Sequence, residues 1–285
     1  MRRLLTLFCV SLASMVLGIG LTTDCQSRPV SSKGKALPSE MERAVRVIQQ
    51  TTRDDLNFEE VVPQDIIREL IEQVDRERAL TDLRRLTGVD PICTAKGCYT
   101  ITGRETGSEG LQWAKDYVYE TLVSLNYSVE VLDWSFEGYS DQNIIARKQG
   151  KVYPGEEIYF VAHLDGYLET NPAADDDASG VVSLLELARI LRNRSLKRTV
   201  VLFFSTGEEH GSLGSRSFVE DYLERLASIK YLVNVEMLGY DSNSDHVMQL
   251  WSGDHHPSLV FAQMLHEIIT AYQLDLKPQI ITGCT

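Results

Sequence analysis

Four short clusters along the 285-residue chain carry side chains that bind cations or move protons. His163 and Asp165 stand in Ala-His-Leu-Asp; Asp175, Asp176 and Asp177 are consecutive; Glu208 and Glu209 sit in Gly-Glu-Glu-His-Gly; and Glu236 closes an apolar run. Each has an ordinary explanation: a hydrogen-bonded histidine at a strand end, an aspartate capping a helix, a solvated acidic turn, a carboxylate turned to water. A helix cap needs one carboxylate, so two of the three adjacent aspartates remain, and a cation between them would relieve their repulsion. Paired glutamates on one turn can divide labour, one binding a metal and the other handling the proton of an activated water. Four such clusters on one sheet edge favour a metal site over four separate accidents.

Sheet and helix periodicity must bring them together. Apolar spacing predicts a helix from Pro63, with Ile66, Ile67, Leu70, Ile71 and Val74 on one stripe, then helices over Ala79 to Leu86 and Gly110 to Leu125. Tyr127 to Phe136 alternates as a strand, and Asn143 to Arg147 is a short one. Glu157 to Ala162 and Thr199 to Ser205 are near-continuous apolar runs, the pattern of strands buried on both faces. Helices over Ser179 to Leu191, Ser212 to Leu226 and Ser258 to Tyr272 alternate with strands over Tyr231 to Val235 and His246 to Trp251. This order predicts an α/β fold of three layers, a mostly parallel (mixed) central sheet with helices on both faces. Sites in such folds lie at the strand carboxyl ends, and polar clusters follow directly after three of these strands.

The ordered motifs Ala-His-Leu-Asp, Ala-Asp-Asp-Asp-Ala-Ser-Gly, Ser-Thr-Gly-Glu-Glu-His-Gly-Ser-Leu-Gly-Ser and Asn-Val-Glu-Met-Leu-Gly-Tyr resemble metallopeptidase family 28, the co-catalytic zinc aminopeptidases and their relatives. Gly103-Arg104-Glu105-Thr106-Gly107-Ser108 resembles that family as well, so the likeness runs from about residue 65 onward. It implies a zinc exopeptidase-like fold and hydrolysis of peptides at their ends. It also implies two Zn2+ ions, bridged by Asp176, with His163 and Glu236 on one side and Glu209 on the other. Glu208 is then the general base, and Asp165 holds the imidazole of His163. Two departures stand out. The strand-end ligand is often Asp in the family and is Glu236 here, although zinc accepts either carboxylate. Family members also follow a segment like Gly283-Cys284-Thr285 with Ser-Asp-His, whose histidine binds the distal zinc, so the resemblance implies that the C-terminal part of the domain is missing. A non-catalytic remnant of the fold and a glutaminyl cyclase-like transferase are the alternatives. His246 is available at a strand start, and His255 and His256, in a Gly-Asp-His-His-Pro turn, are expected in a surface loop.

Composition limits the partners. With 28 Lys and Arg against 41 Asp and Glu the net charge is -13, without the basic footprint that nucleic acid requires. Arg2 and Arg3 precede an uncharged run from Leu4 to Leu21, so residues 1–23 read as an export signal or, if uncleaved, a membrane anchor. Lipidation at Cys25 is a further route to the membrane, disfavoured by Asp24 before it. Residues 24–60 read as a linker or pro-segment with a capping box at Ser39 and Glu42, and 61–285 as the zinc peptidase domain. Cys93 and Cys98 are close enough for a disulfide loop in an oxidising compartment; no second pair completes a zinc-finger spacing. Nothing in the sequence sets the oligomeric state.

Overall fold

The computed structural model describes residues 64–283 other than 169, 254 and 255. The expected export signal and the linker of residues 24–60 lie outside the described residues. Helix α1 (Asp65–Glu72) buries Ile67 and Leu70, while Ile66, expected on the same stripe, is exposed. Helix α2 (Arg76–Leu86) begins at Asp75, whose carboxylate accepts from Glu77 N and Arg78 N. A short hairpin follows, β1 (Ile92–Thr94) and β2 (Gly97–Tyr99), closed by the Cys93–Cys98 disulfide. Helix α3 (Glu109–Ser124) starts from Ser108, whose hydroxyl accepts from Leu111 N.

Strands β3 (Ser128–Phe136) and β4 (Tyr139–Lys148) form an antiparallel hairpin. Its turn residues Glu137 and Gly138 both take positive φ, the geometry whose twist suits a two-residue hairpin. This turn extends β4 four residues upstream of the expected strand. Then come β5 (Tyr153–His163), α4 (Ala178–Leu191), β6 (Arg198–Ser205), α5 (Leu213–Asp221), α6 (Leu223–Leu226) and β7 (Ile229–Asn234). The single helix expected over Ser212 to Leu226 is two, because Tyr222 leaves helical φ/ψ and stacks on Phe218.

The five-stranded sheet has the order β3-β4-β6-β5-β7. It is mixed: β4 pairs antiparallel with β3 and β6, whereas β5 pairs parallel with β6 and β7. Alternate residues face opposite layers. Ile158, Phe160 and Ala162 of β5, with Val200, Leu202 and Phe204 of β6, join α3 and α4 in the larger core. Tyr159, Val201 and Phe203 meet Phe218 of α5 on the other face. Helix α4 buries all but Arg189 of its 14 residues, which explains its apolar character all round. A second, two-stranded parallel sheet pairs β8 (Val247–Ser252) with β9 (Lys277–Thr282), linked by α7 (His256–Ala271). Strand β9 has no counterpart in the sequence expectations. No helix among the described residues is long and apolar enough to cross a membrane.

The polar helix α2 docks on α4 through charge. Arg78 bonds both oxygens of the fully buried Glu186, and Arg189 reaches the buried Asp82 at 2.5 Å. Asp75 N and the hydroxyl of Tyr117 complete the set, at 2.8 Å from Glu186 and 2.6 Å from Asp82. Removing an arginine would strand the buried carboxylate it pairs with, at a cost of about 3–5 kcal/mol.

Candidate metal centre

The parallel strands all end at one edge. His163 is the last residue of β5, Glu208 and Glu209 follow β6 by three and four residues, and Glu236 follows β7 by two. Val235 N still bonds Val161 O at 2.8 Å, so the β7 register carries Glu236 alongside the end of β5. One ligand-type atom each from His163, Asp176 and Glu236 lies within 4.8 Å of the others. His163 Nε2 is 2.8 Å from Asp176 Oδ1 and 4.0 Å from Glu208 Oε2. Glu209 stands outside this triple, and its carboxyl feels Asp176 through charge.

The three adjacent aspartates have three different tasks. Asp177 is fully buried and caps α4 by accepting from Gly180 N, and it also accepts from His163 N at 3.2 Å. Asp175 Oδ1 accepts from Gly239 N at 2.5 Å, tying the segment after Glu236 to the start of α4. Only Asp176 is left facing the imidazole, so the sequence expectation of two spare acids is corrected to one. Glycine is required at position 180, because a Cβ there would lie 2.2 Å from Val235 O.

Asp165, fully buried, lies beneath the glutamate turn. Its two oxygens accept from Glu208 N and Glu209 N, each at 3.2 Å, and Thr106 Oγ1 donates to it at 3.3 Å. Its distance to His163 Nδ1 is 3.6 Å, an ion-pair separation beyond hydrogen-bond reach, and that buried nitrogen has no hydrogen-bond partner. The turn itself rests on Gly207, with φ +73° and its α-carbon so close to Trp134 that a Cβ would lie 2.7 Å from the ring. Asn143 braces the same turn, accepting from Thr206 N and donating to Gly214 O. Asn143 and Trp134 were not singled out from sequence, since their roles depend on which backbone groups arrive beside them.

Electrostatics follow from crowding. Burial opposes charge on the His163 ring, but Asp165, Asp177 and Glu208 outweigh it and lift the pKa to about 10. Burial, with Asp176 and other carboxylates adding to it, lifts Glu209 to about 7. Burial also raises Glu208, opposed by His163 and reinforced by Glu236 and Asp165. Glu208 lines a cavity of about 250 Å³ together with the polar His163, Ser212 and Glu236 and with Tyr159, Phe203 and Leu232. A divalent cation fits this donor set: imidazole nitrogen and carboxylate oxygen are ordinary zinc ligands, and a cation would reverse the strain that raises these carboxyl pKa values. His210 takes no part, stacking instead on Tyr139 at 4.4 Å. His246 pairs with Asp275 at 2.9 Å, away from the cluster; His255 and the side chain of His256 lie outside the described residues.

Fold and donor set define a class: a three-layer α/β protein with a histidine–carboxylate cluster of metal-ligand type at the carboxyl ends of its parallel strands. Residues 143–282 match the model of peptidase family M28. A probable zinc metalloprotease of Pyrenophora teres f. teres (strain 0-1) is 24% identical over 210 residues, 66% of this chain and 44% of that protein. The chain spans about half the length of the curated relatives it matches. The LapA aminopeptidase of Legionella pneumophila superposes with a TM-score of 0.62 at 19% identity, covering 88% of this chain and 67% of that one. The glutaminyl cyclase of Macrostomum lignano gives 0.63 at 18% identity, covering 80% and 78%.

Proposed function

We propose that the chain is a zinc-dependent exopeptidase of the aminopeptidase type. The observation that carries this reading is the convergence of His163, Asp176 and Glu236 within 4.8 Å, with Glu208 at 4.0 Å from the same imidazole. In this reading His163, Asp176, Glu209 and Glu236 would hold two Zn2+ ions. Zinc supplies Lewis acidity there, bringing water towards ionisation at neutral pH and polarising a carbonyl.

The remaining work falls to the chain itself. Glu208 takes the proton of the attacking water and passes it to the leaving amine, and burial, which raises its pKa, favours its holding that proton in between. Asp165 anchors the turn through Glu208 N and Glu209 N and thereby aims both glutamates. The Cys93–Cys98 disulfide supports export to an oxidising compartment.

Purifying the chain and measuring zinc per molecule beside hydrolysis of amino-acyl chromogenic substrates tests the proposal. Two zinc ions with turnover are expected. Less than one zinc with no turnover would leave a non-enzymatic member of the fold. A second reading comes from the donor triple, which suffices for one ion: a glutaminyl cyclase-like transferase. One zinc per chain together with cyclisation of N-terminal glutamine would select it.

A further inference from the structure

Arg104 is the largest side chain buried to 0% exposure, and nothing in the proposed reaction uses it. It sits in the Gly-Arg-Glu-Thr-Gly-Ser segment between β2 and α3. All of its hydrogen bonds go to backbone carbonyls, none to a carboxylate. Nε donates to Leu164 O at 2.8 Å, Nη1 to Leu86 O at 2.7 Å and Pro172 O at 3.0 Å, and Nη2 to Ala173 O at 3.0 Å. Three of the four acceptors flank the candidate metal ligands, and the fourth, Leu86 O, ends α2. Leu164 lies between His163 and Asp165, and Pro172 and Ala173 end the loop that leads into Asp175, Asp176 and Asp177.

We infer that Arg104 is a positioning residue for the metal centre: one guanidinium ties the β5 end that carries His163 to the loop that delivers Asp176. Planarity matters, because a rigid fork with several donors can hold two chain segments in one plane, whereas an ammonium on a flexible stem cannot. Ala173 is the hinge of the arrangement. It takes φ +46°, and its carbonyl accepts from Arg104 and from Ala178 N, the first residue of α4. Its Cβ would lie 2.6 Å from a Cβ added at Gly166, so the two loops cross with no slack. The bond from Gly166 N back to Arg104 O, 3.0 Å, closes the clasp. The guanidinium also brings a buried positive charge towards Asp165, Asp176, Asp177 and Glu209, an electrostatic support for four acids gathered at one edge.

This inference rests on the metal-centre reading above, so its test reports on both. Zinc alone is titrated calorimetrically into metal-stripped full chain, wild type against Arg104→Lys and Arg104→Gln, with melting temperatures alongside. Glu186→Gln, which weakens the α2–α4 contact without removing any bond to Arg104 or the two loops, serves as a control for destabilisation without loop release. The expected result is zinc affinity at least tenfold weaker in Arg104→Lys, and kcat lowered with KM little changed. Glu186→Gln should keep wild-type zinc affinity despite its lower melting temperature. Wild-type affinity in Arg104→Lys, or a loss no larger than in the control, would overturn the role. Failure of both Arg104 variants to fold would overturn it too, since the residue would then hold the core at large. A wild-type chain that binds no zinc would instead sink the parent reading.

Discussion

Replacing Glu208 by Gln separates proton transfer from metal binding. The amide is isosteric, its Oε1 can still accept from Ser212 Oγ at 3.3 Å, and the backbone bond from residue 208 to Asp165 does not involve the side chain. The triple of His163, Asp176 and Glu236 is untouched. Repulsion of Glu208 by Glu236 and Asp165 disappears, so folding stability should hold or rise slightly. What is lost is the only function an amide cannot mimic, acceptance of a proton. A positioned general base contributes roughly 10²–10⁴ in rate, about 3–5 kcal/mol of barrier. The expected outcome is therefore a fall in kcat of that size, with zinc content, KM and melting temperature near wild type. Steady-state hydrolysis of an amino-acyl chromogenic substrate, with metal analysis on the same preparation, measures it. A kcat within tenfold of wild type at full zinc content would remove Glu208 from the role. Loss of zinc would make it a ligand.

The pH dependence of the metal-free protein follows from proton linkage. His163, ordinarily near 6.5, is lifted to about 10, and Glu209, ordinarily near 4.5, to about 7. In both cases the folded state holds its proton more tightly than the unfolded chain. Stability is therefore greatest in mild acid and is lost as pH climbs: the share from Glu209 is complete below about pH 4.5 and gone above about 7, and that from His163 is complete below about 6.5 and gone above about 10. Urea midpoints at pH 6 and pH 9 should show this fall, and Glu209→Gln should flatten its lower part; a midpoint that rises over this range contradicts the assignment. Gly207→Ala should cost about 1–3 kcal/mol, because the new Cβ meets the Trp134 ring at 2.7 Å on a backbone of φ +73°. As that turn carries Glu208 and Glu209, kcat/KM should fall with it, and an unchanged urea midpoint would show that the turn is not constrained as described.

Much of this molecule is written in local pattern. The apolar runs ending at Ala162 and Ser205 read as buried strands because both faces of β5 and β6 are covered, and that demand shows in composition without knowledge of what covers them. The His-Leu-Asp, triple-aspartate and paired-glutamate clusters were legible for the same reason: charge beside a strand end is unusual in any context. Tertiary structure alone decided how those residues are used. Whether an aspartate caps a helix, ties a loop or faces a cation depends on which N–H group reaches it, and Gly180, Gly239 and His163 come from distant parts of the chain. The turn at Glu137 and Gly138 escaped notice because its signal lies in backbone dihedrals that Glu rarely adopts. Glu236 joins His163 only through the parallel pairing of β7 with β5, a contact that sequence periodicity cannot express. Arg104 stood out only within a family-like Gly-Arg-Glu-Thr-Gly-Ser stretch, and nothing there announced its burial, since an arginine in a polar segment resembles any surface cation until two loops close over it. Residue type and period fix local conformation because neighbours a few positions apart set it; convergence at a site is settled by long-range pairing, and only the folded chain holds that information.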